Sequence, residues 1–296
     1  MKVLVIGGTG HMGKFVCEIL KERGHEVFVA SRSGNAPEGM TAVKCDCSDP
    51  ASLESLKAGG YDTIIEFPGK AKIVYDVLAG SVGHIIGCGS LWMYGAPTRV
   101  PTPEQYQSKC PFPTYAQRFA DMQIMLEDEK CLFTGIMVPN VCGPGKIPLE
   151  CLGGRSAEVH KAHMKGETVY LPDGPQPIIS PCDAYDLAML FVLAAEQPEK
   201  SGNKLFNVGP ADKPITTDEL VRLYGKIYGV EIPIEYVSWE KYKTEISPSI
   251  GGWWHFYAHM CPDDSKARNL LGSTPKYTIE QTLQRAVEWM KEQEII

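Results

Sequence analysis

The sequence predicts an α/β protein: a doubly wound parallel sheet with a smaller C-terminal lobe. Three observations carry this. Short apolar runs rich in Val and Ile alternate with helical stretches through the first 140 residues, the pattern of strands covered on both faces. A glycine run, Gly7-Gly8-Thr9-Gly10-His11-Met12-Gly13, separates the first such strand from the first helix. After Pro139 the alternation gives way to breaker-rich stretches such as Gly143-Pro-Gly-Lys-Ile-Pro148.

The elements follow in order. Lys2–Ile6 is a continuous β-branched run. The helix after it places Phe15, Val16, Ile19 and Leu20 on one side and closes at Gly24. Strands are expected at Glu26–Ala30, Thr41–Cys45, Asp62–Ile65 and His84–Gly87, with a short helix opened by Asp49-Pro50 and another over Ala71–Leu78. Proline suits the first helical turn because its missing N–H is unneeded there. Residues 96–114 read as a surface loop, Thr114–Lys130 as a helix and Leu132–Val138 as a sixth strand. Further on, Asp183–Glu196 reads as a helix and Lys204–Val208 as a strand. Thr216-Thr-Asp-Glu219 opens another helix with a hydroxyl and two carboxylates that complement its free N–H groups. Ile279–Glu294 is the last. The expected division is a dinucleotide-binding domain over 1–140, with 176–210 returning to it, and a smaller lobe over 141–175 and 211–296.

Composition narrows the class. A chain of 296 residues with 44% hydrophobic and 22% charged residues buries a large core and needs no disulfide framework. The net charge of −7 provides no general field for nucleic acid or an anionic membrane. No apolar run reaches the roughly 18 residues of a membrane span. The ten cysteines show no CxxC pair, and no secretory leader precedes Lys2. Cysteines are therefore expected to be reduced, mostly buried, small apolar residues in a cytoplasmic protein.

The glycine run is the most informative motif. Glycines let the backbone turn tightly and approach a pyrophosphate, and the helix N-terminus behind them offers free N–H groups. Strand, glycines, helix and second strand all fall within thirty residues, the arrangement of a Rossmann-type dinucleotide site. Gly7, Thr9, Gly10, His11, Met12 and Gly13 are the expected cradle. At the end of the second strand an acid would bind the ribose 2′-hydroxyl, whereas an arginine would accept a 2′-phosphate. Ser31-Arg32 stands there, so NADP is expected, with NAD second. Asp46 approaches the adenine edge or caps the next turn; Cys47 and Phe67 complete the expected cofactor set.

With those pieces placed, the chain resembles the extended short-chain dehydrogenase/reductase family of NAD(P)-dependent epimerases and dehydratases. The likeness rests on the glycine loop, Cys45-Asp46, Ser90-Leu-Trp-Met-Tyr-Gly95, Pro113-Thr-Tyr115 and Pro139-Asn140 with Gly143-Pro144-Gly145. It extends through Asp186-Leu-Ala188, Phe206-Asn-Val-Gly209, Asp264-Ser-Lys-Ala-Arg268 and Leu271-Gly272. The compressed stretch between strands four and five resembles a divergent branch that includes the chloroplast stem-loop-binding proteins and bacterial epimerase-like reductases. The resemblance implies a Rossmann-type doubly wound parallel sheet with a smaller C-terminal substrate lobe, and hydride exchange with a hydroxyl or carbonyl of a small organic or sugar-like substrate. It puts the catalytic roles on Ser90 and Tyr115 and substrate contact on Asn140. Trp92 is a further expected substrate contact, and Trp253, with Trp254, Phe256 and Tyr257, is expected to wall a flat or sugar-like substrate.

Two departures stand out. The family carries a lysine four residues after the tyrosine, which holds the nicotinamide ribose and lowers the tyrosine's pKa; here that residue is Phe119. Arg118 is the neighbouring cation, about 100° away around the helix. The arginine that clamps a sugar-nucleotide diphosphate is also missing, with Gln176-Pro-Ile-Ile-Ser180 in its place. A second reading, a cofactor-binding regulator with its chemistry lost, therefore stands beside the enzyme. His255-x-x-x-His259 with Cys261 lies in the aromatic run Trp253-Trp-His-Phe-Tyr257 and reads as lobe core or pocket wall, not as a metal site. Expected partners are a small-molecule substrate, no nucleic acid and no membrane, with a homodimer as the expected assembly.

Overall fold

The computed structural model describes residues 1–296. The chain runs β1 (Lys2–Ile6), α1 (His11–Glu22), β2 (Glu26–Ser31), β3 (Thr41–Lys44), α2 (Pro50–Glu54), β4 (Thr63–Glu66), α3 (Ala71–Leu78), β5 (His84–Ser90), α4 (Pro113–Glu127) and β6 (Leu132–Val138). It continues through β7 (Asn140–Cys142), α5 (Ala157–Met164), β8 (Val169–Pro172), β9 (Ile178–Ile179), β10 (Pro181–Asp183), α6 (Ala184–Glu196), α7 (Pro198–Ser201) and β11 (Lys204–Asn207). The remainder comprises β12 (Ile215–Thr216), α8 (Thr217–Tyr228), β13 (Ile234–Val237), α9 (Trp239–Lys241), α10 (Ile250–Trp253), α11 (Ser265–Leu271) and α12 (Ile279–Glu292).

Seven strands form one parallel sheet in the order β11-β6-β5-β4-β1-β2-β3. The order reverses beside β1, so the first crevice opens at the carboxyl ends of β1 and β4, where open α/β sheets place their ligands. Strand alternation sorts the core onto two faces. Leu4, Ile64, Ile85 and Phe133 pack toward α3 and α4. Val3, Val5, Ile65, Ile86 and Ile136 pack against α1 and the apolar helix α6. A third cluster, including Leu149, Leu171, Leu220, Tyr224 and Leu283, fills the region of the small sheets β8–β13 and β9–β12. Residues 204–207 return to the main sheet, where β11 pairs with β6.

Element ends differ from the sequence reading in places. β5 continues past Gly87 to Ser90, paired with β6 throughout. Its glycines resemble a strand end, but Gly89 lies inside the sheet with the Met137 side chain packed where its Cβ would stand, 2.3 Å from the sulfur. α4 begins at Pro113 and stops at Glu127, where Asp128 turns extended. α12 starts in a full capping box, with Thr278 accepting from the Gln281 N–H and the Gln281 side chain accepting from the Thr278 N–H. Nine of the ten free cysteines are buried and Cys47 is partly so. No helix is long and apolar enough to cross a membrane.

Candidate dinucleotide and substrate site

The loop between β1 and α1 is compressed in a way only glycine permits. A Cβ on Gly13 would lie 2.2 Å from the Gly7 carbonyl oxygen. The Gly10 N–H donates to that same oxygen at 3.0 Å, closing the turn. α1 has no side-chain cap and no acidic residue in its first turn, so its N-terminal N–H groups remain open to an anion. A groove of about 520 Å³ beside this loop gathers Gly7, Thr9, Ser31, Arg32, Asp46 and Cys47, six of the eleven expected cofactor residues.

Within that set the side chains do different things. The Ser31 hydroxyl accepts from the Asn35 N–H at 3.0 Å and donates to the Asn35 carbonyl at 2.9 Å. Its oxygen is thus committed to its own turn, and Arg32 is left exposed at the groove without a hydrogen bond or ion pair of its own. Asp46 accepts from the Ser48 N–H at 2.9 Å, capping the following turn while still lining the groove. The Met12 side chain packs into the core on the α6 face. The Phe67 ring packs on Phe191 with centroids 4.8 Å apart; Pro68, one residue on, lines the groove instead. His11 spans to the second half of the chain, its Nε2 bonded to the Pro144 carbonyl at 2.8 Å. Burial pushes its imidazole down to about 4, so it is neutral at pH 7 and donates.

At the end of β5, Ser90 and Tyr115 are linked through Trp92. The Ser90 hydroxyl accepts from the Trp92 N–H at 3.3 Å. The Trp92 ring stands edge-on to Tyr115 at 5.9 Å, stacks on Phe112 at 4.8 Å and leans on His255 at 4.6 Å. Trp254 reaches this group through Phe112 at 5.8 Å. Trp253 instead faces Tyr257 and Lys243, so the aromatic run meets the Trp92 group through Trp254 and His255. Asn140 donates from Nδ2 to the His255 Nδ1 at 2.7 Å.

Phe119 is buried edge-on against Tyr94, whose hydroxyl donates to Asn207. Arg118 reaches the sheet edge in its place. Its Nη2 donates to the Cys88 carbonyl at 2.7 Å, and its guanidinium carbon lies over Gly69 and 5.6 Å from the Tyr115 ring centre. Beneath it Glu66 is fully buried and accepts from the Lys70 N–H at 2.6 Å. Burial pushes the Glu66 carboxyl up to about 7 against the opposing pull of that hydrogen bond and of the Arg118 charge.

Comparison with known proteins agrees with this geometry. Residues 3–75 match the model of the NAD dependent epimerase/dehydratase family. The chain is 24% identical to the UDP-glucose 4-epimerase of Corynebacterium glutamicum, over 96% of this chain and 93% of that protein. It is also 24% identical to the dTDP-6-deoxy-L-talose 4-dehydrogenase (NAD(P)(+)) of Kitasatospora kifunensis, over 95% and 93%. Among solved structures, the UDP-glucose 4-epimerase of Thermotoga maritima with UDP-glucose superposes with a TM-score of 0.77 at 21% identity, covering 99% of this chain and 100% of that one. The Bifidobacterium longum enzyme in complex with NAD+ and UDP gives 0.78 at 20% identity, over 100% and 99%. The likeness to NAD-dependent epimerases and dehydratases read from the motifs is thus found in the family model, in curated relatives and in the fold.

Proposed function

We propose that this chain is an NADP-preferring oxidoreductase or epimerase-like enzyme that exchanges hydride with a hydroxyl or carbonyl of a small, sugar-like substrate. The residues present fit the cofactor: the Gly7–Gly13 cradle has no room for a side chain at Gly13, and the uncapped helix behind it faces the same space. NADP would be held by that loop through its pyrophosphate and by Arg32 through its 2′-phosphate, and when bound it supplies the hydride. In this reading residues 1–140 with 176–210 hold the dinucleotide, and 141–175 with 211–296 hold the substrate.

The observation that carries the enzymatic reading is Arg118. The family lysine places a cation beside the tyrosine, and Arg118 brings one to the Tyr115 ring from the neighbouring position, tied to the Cys88 carbonyl. Tyr115 then gives or takes the proton at the reacting oxygen, and Ser90 holds that oxygen in place. The buried Phe119 is the specific observation for the second reading, a cofactor-binding regulator. One assay separates the two: NADPH consumption with a panel of small aldehyde and keto sugars. Turnover supports the enzyme; tight NADPH binding with none supports the regulator.

A further inference from the structure

Another cavity, of about 430 Å³, lies between the 150–155 loop and the 247–255 segment. Arg155 is its cation. Nη1 donates to the Ile147 carbonyl at 2.8 Å and Nη2 to the Val141 carbonyl at 2.7 Å. A guanidinium carries five N–H donors, so these two bonds fix its plane and leave three free. It makes no ion pair with any carboxylate.

His255 lines the same cavity. The Asn140 Oδ1 is turned to the Ser180 N–H at 3.4 Å, which directs its NH2 to the His255 Nδ1. Nδ1 is therefore the acceptor and the ring hydrogen sits on Nε2. Burial and the Arg155 charge push His255 down to about 3, so it is a neutral donor. Glu150 stands at the start of the same loop as Arg155, within reach of its charge. It accepts from the Leu152 N–H, and burial pushes its carboxyl up to about 7, leaving a partial negative charge at neutral pH. Lys146 does not line this cavity, though its charge and that of Arg155 act on each other. Arg155 is the one cation lining the cavity, and the Glu150 carboxyl beside it disfavours an anion of higher charge, such as a diphosphate, over a single carboxylate.

We infer that this cavity takes a carboxylate carried by the substrate, bound by Arg155 and the His255 Nε2–H. The inference rests on the proposed function and names its substrate class: a small hydroxylated acid in place of a nucleotide sugar. It also accounts for the missing arginine ahead of α6. Gln176 stands there, with its side chain bonded to Thr217 and to the Pro172 carbonyl, and Arg155 supplies the charge from another segment. A chain of contacts links the cavity to Ser90: the His255 ring leans on Trp92, whose backbone N–H binds the Ser90 hydroxyl.

Calorimetric titration of the NADPH-loaded protein with D-glucuronate, D-gluconate, D-glucose and uridine diphosphate tests this. The acids should bind about tenfold or more tighter than glucose, as a charge-assisted pair implies, and uridine diphosphate should not displace them. Arg155→Gln should abolish the preference; Arg155→Lys should keep part of it, since the charge stays and the planar fork is lost. The ligand panel on the unaltered protein decides the matter even if a variant does not fold. Glucose binding as tightly as the acids, no acid binding, or displacement by uridine diphosphate overturns the carboxylate assignment. If that happens while NADPH still drives turnover of neutral carbonyl compounds, the proposed function stands without it. Failure to bind NADPH at all removes both.

Discussion

Arg118 holds its guanidinium carbon 5.6 Å from the centre of the Tyr115 ring, while its Nη2 is bonded to the Cys88 carbonyl at 2.7 Å. In the proposed reaction, a cation so placed would favour negative charge developing on the tyrosine side chain. Arg118→Met should therefore lower the reduction rate about 10²-fold with NADPH affinity less affected, and Arg118→Lys should recover part of the loss. Steady-state rates across a pH series are the check. A full rate in Arg118→Met would show that the tyrosine works without this cation.

Gly13 faces the Gly7 carbonyl with 2.2 Å where a Cβ would stand. Gly13→Ala must push the loop apart, at a cost of about 1–3 kcal/mol in stability. It should also weaken NADPH binding about tenfold or more, because the cradle N–H groups lose their common focus. Fluorescence titration and thermal melting measure the two effects; unchanged affinity would contradict the cradle assignment.

The exposed Arg32 beside the committed Ser31 predicts the cofactor choice. NADPH should bind about tenfold or more tighter than NADH, the value of a phosphate–arginine pair of about 1.5–3 kcal/mol. Arg32→Asp should reverse the order. Parallel titrations with the two cofactors are sufficient, and NADH favoured by the unaltered protein would end this reading.

How much of this was legible in the sequence follows from where the interactions come from. The glycine loop and the strand–helix order are local patterns, so their positions could be read directly. The extent of β5 could not, because Gly89 looks like a breaker until Met137 of the neighbouring strand is beside it. Phe119 stands where the resemblance expects a lysine, and the angular argument on the helix ignored the length of the arginine stem that carries Arg118 to Cys88. His255, Arg155 and Asn140 come from three distant segments. No local pattern joins them; the motif at Asn140 was the one signal available.

Stability should depend on pH in a definite direction. Burial pushes His11, His84, His160 and His163 down to about 4 and His255 to about 3, against about 6.5 when unfolded. Between those values the unfolded chain binds more protons, so this stability is full above about pH 6.5 and is lost as pH falls toward 4. Glu66 and Glu150, pushed up to about 7, act in reverse: their contribution is full below about 4.5 and is lost as pH rises through 7. Five histidines outweigh two carboxyls, so the urea midpoint should fall from about pH 6.5 to about 4.5. A flat or rising midpoint over that range would show that these imidazoles are not held neutral.

The central claim is that Tyr115 passes a proton while hydride is exchanged. The most direct measurement is NADPH consumption with small carbonyl substrates by the parent protein and by Tyr115→Phe. The account predicts turnover by the parent and a rate about 10²-fold lower in the variant, the worth of a positioned general acid, with NADPH binding unchanged. An active parent whose Tyr115→Phe variant keeps full rate, or a parent that binds NADPH tightly and turns over nothing, would contradict it.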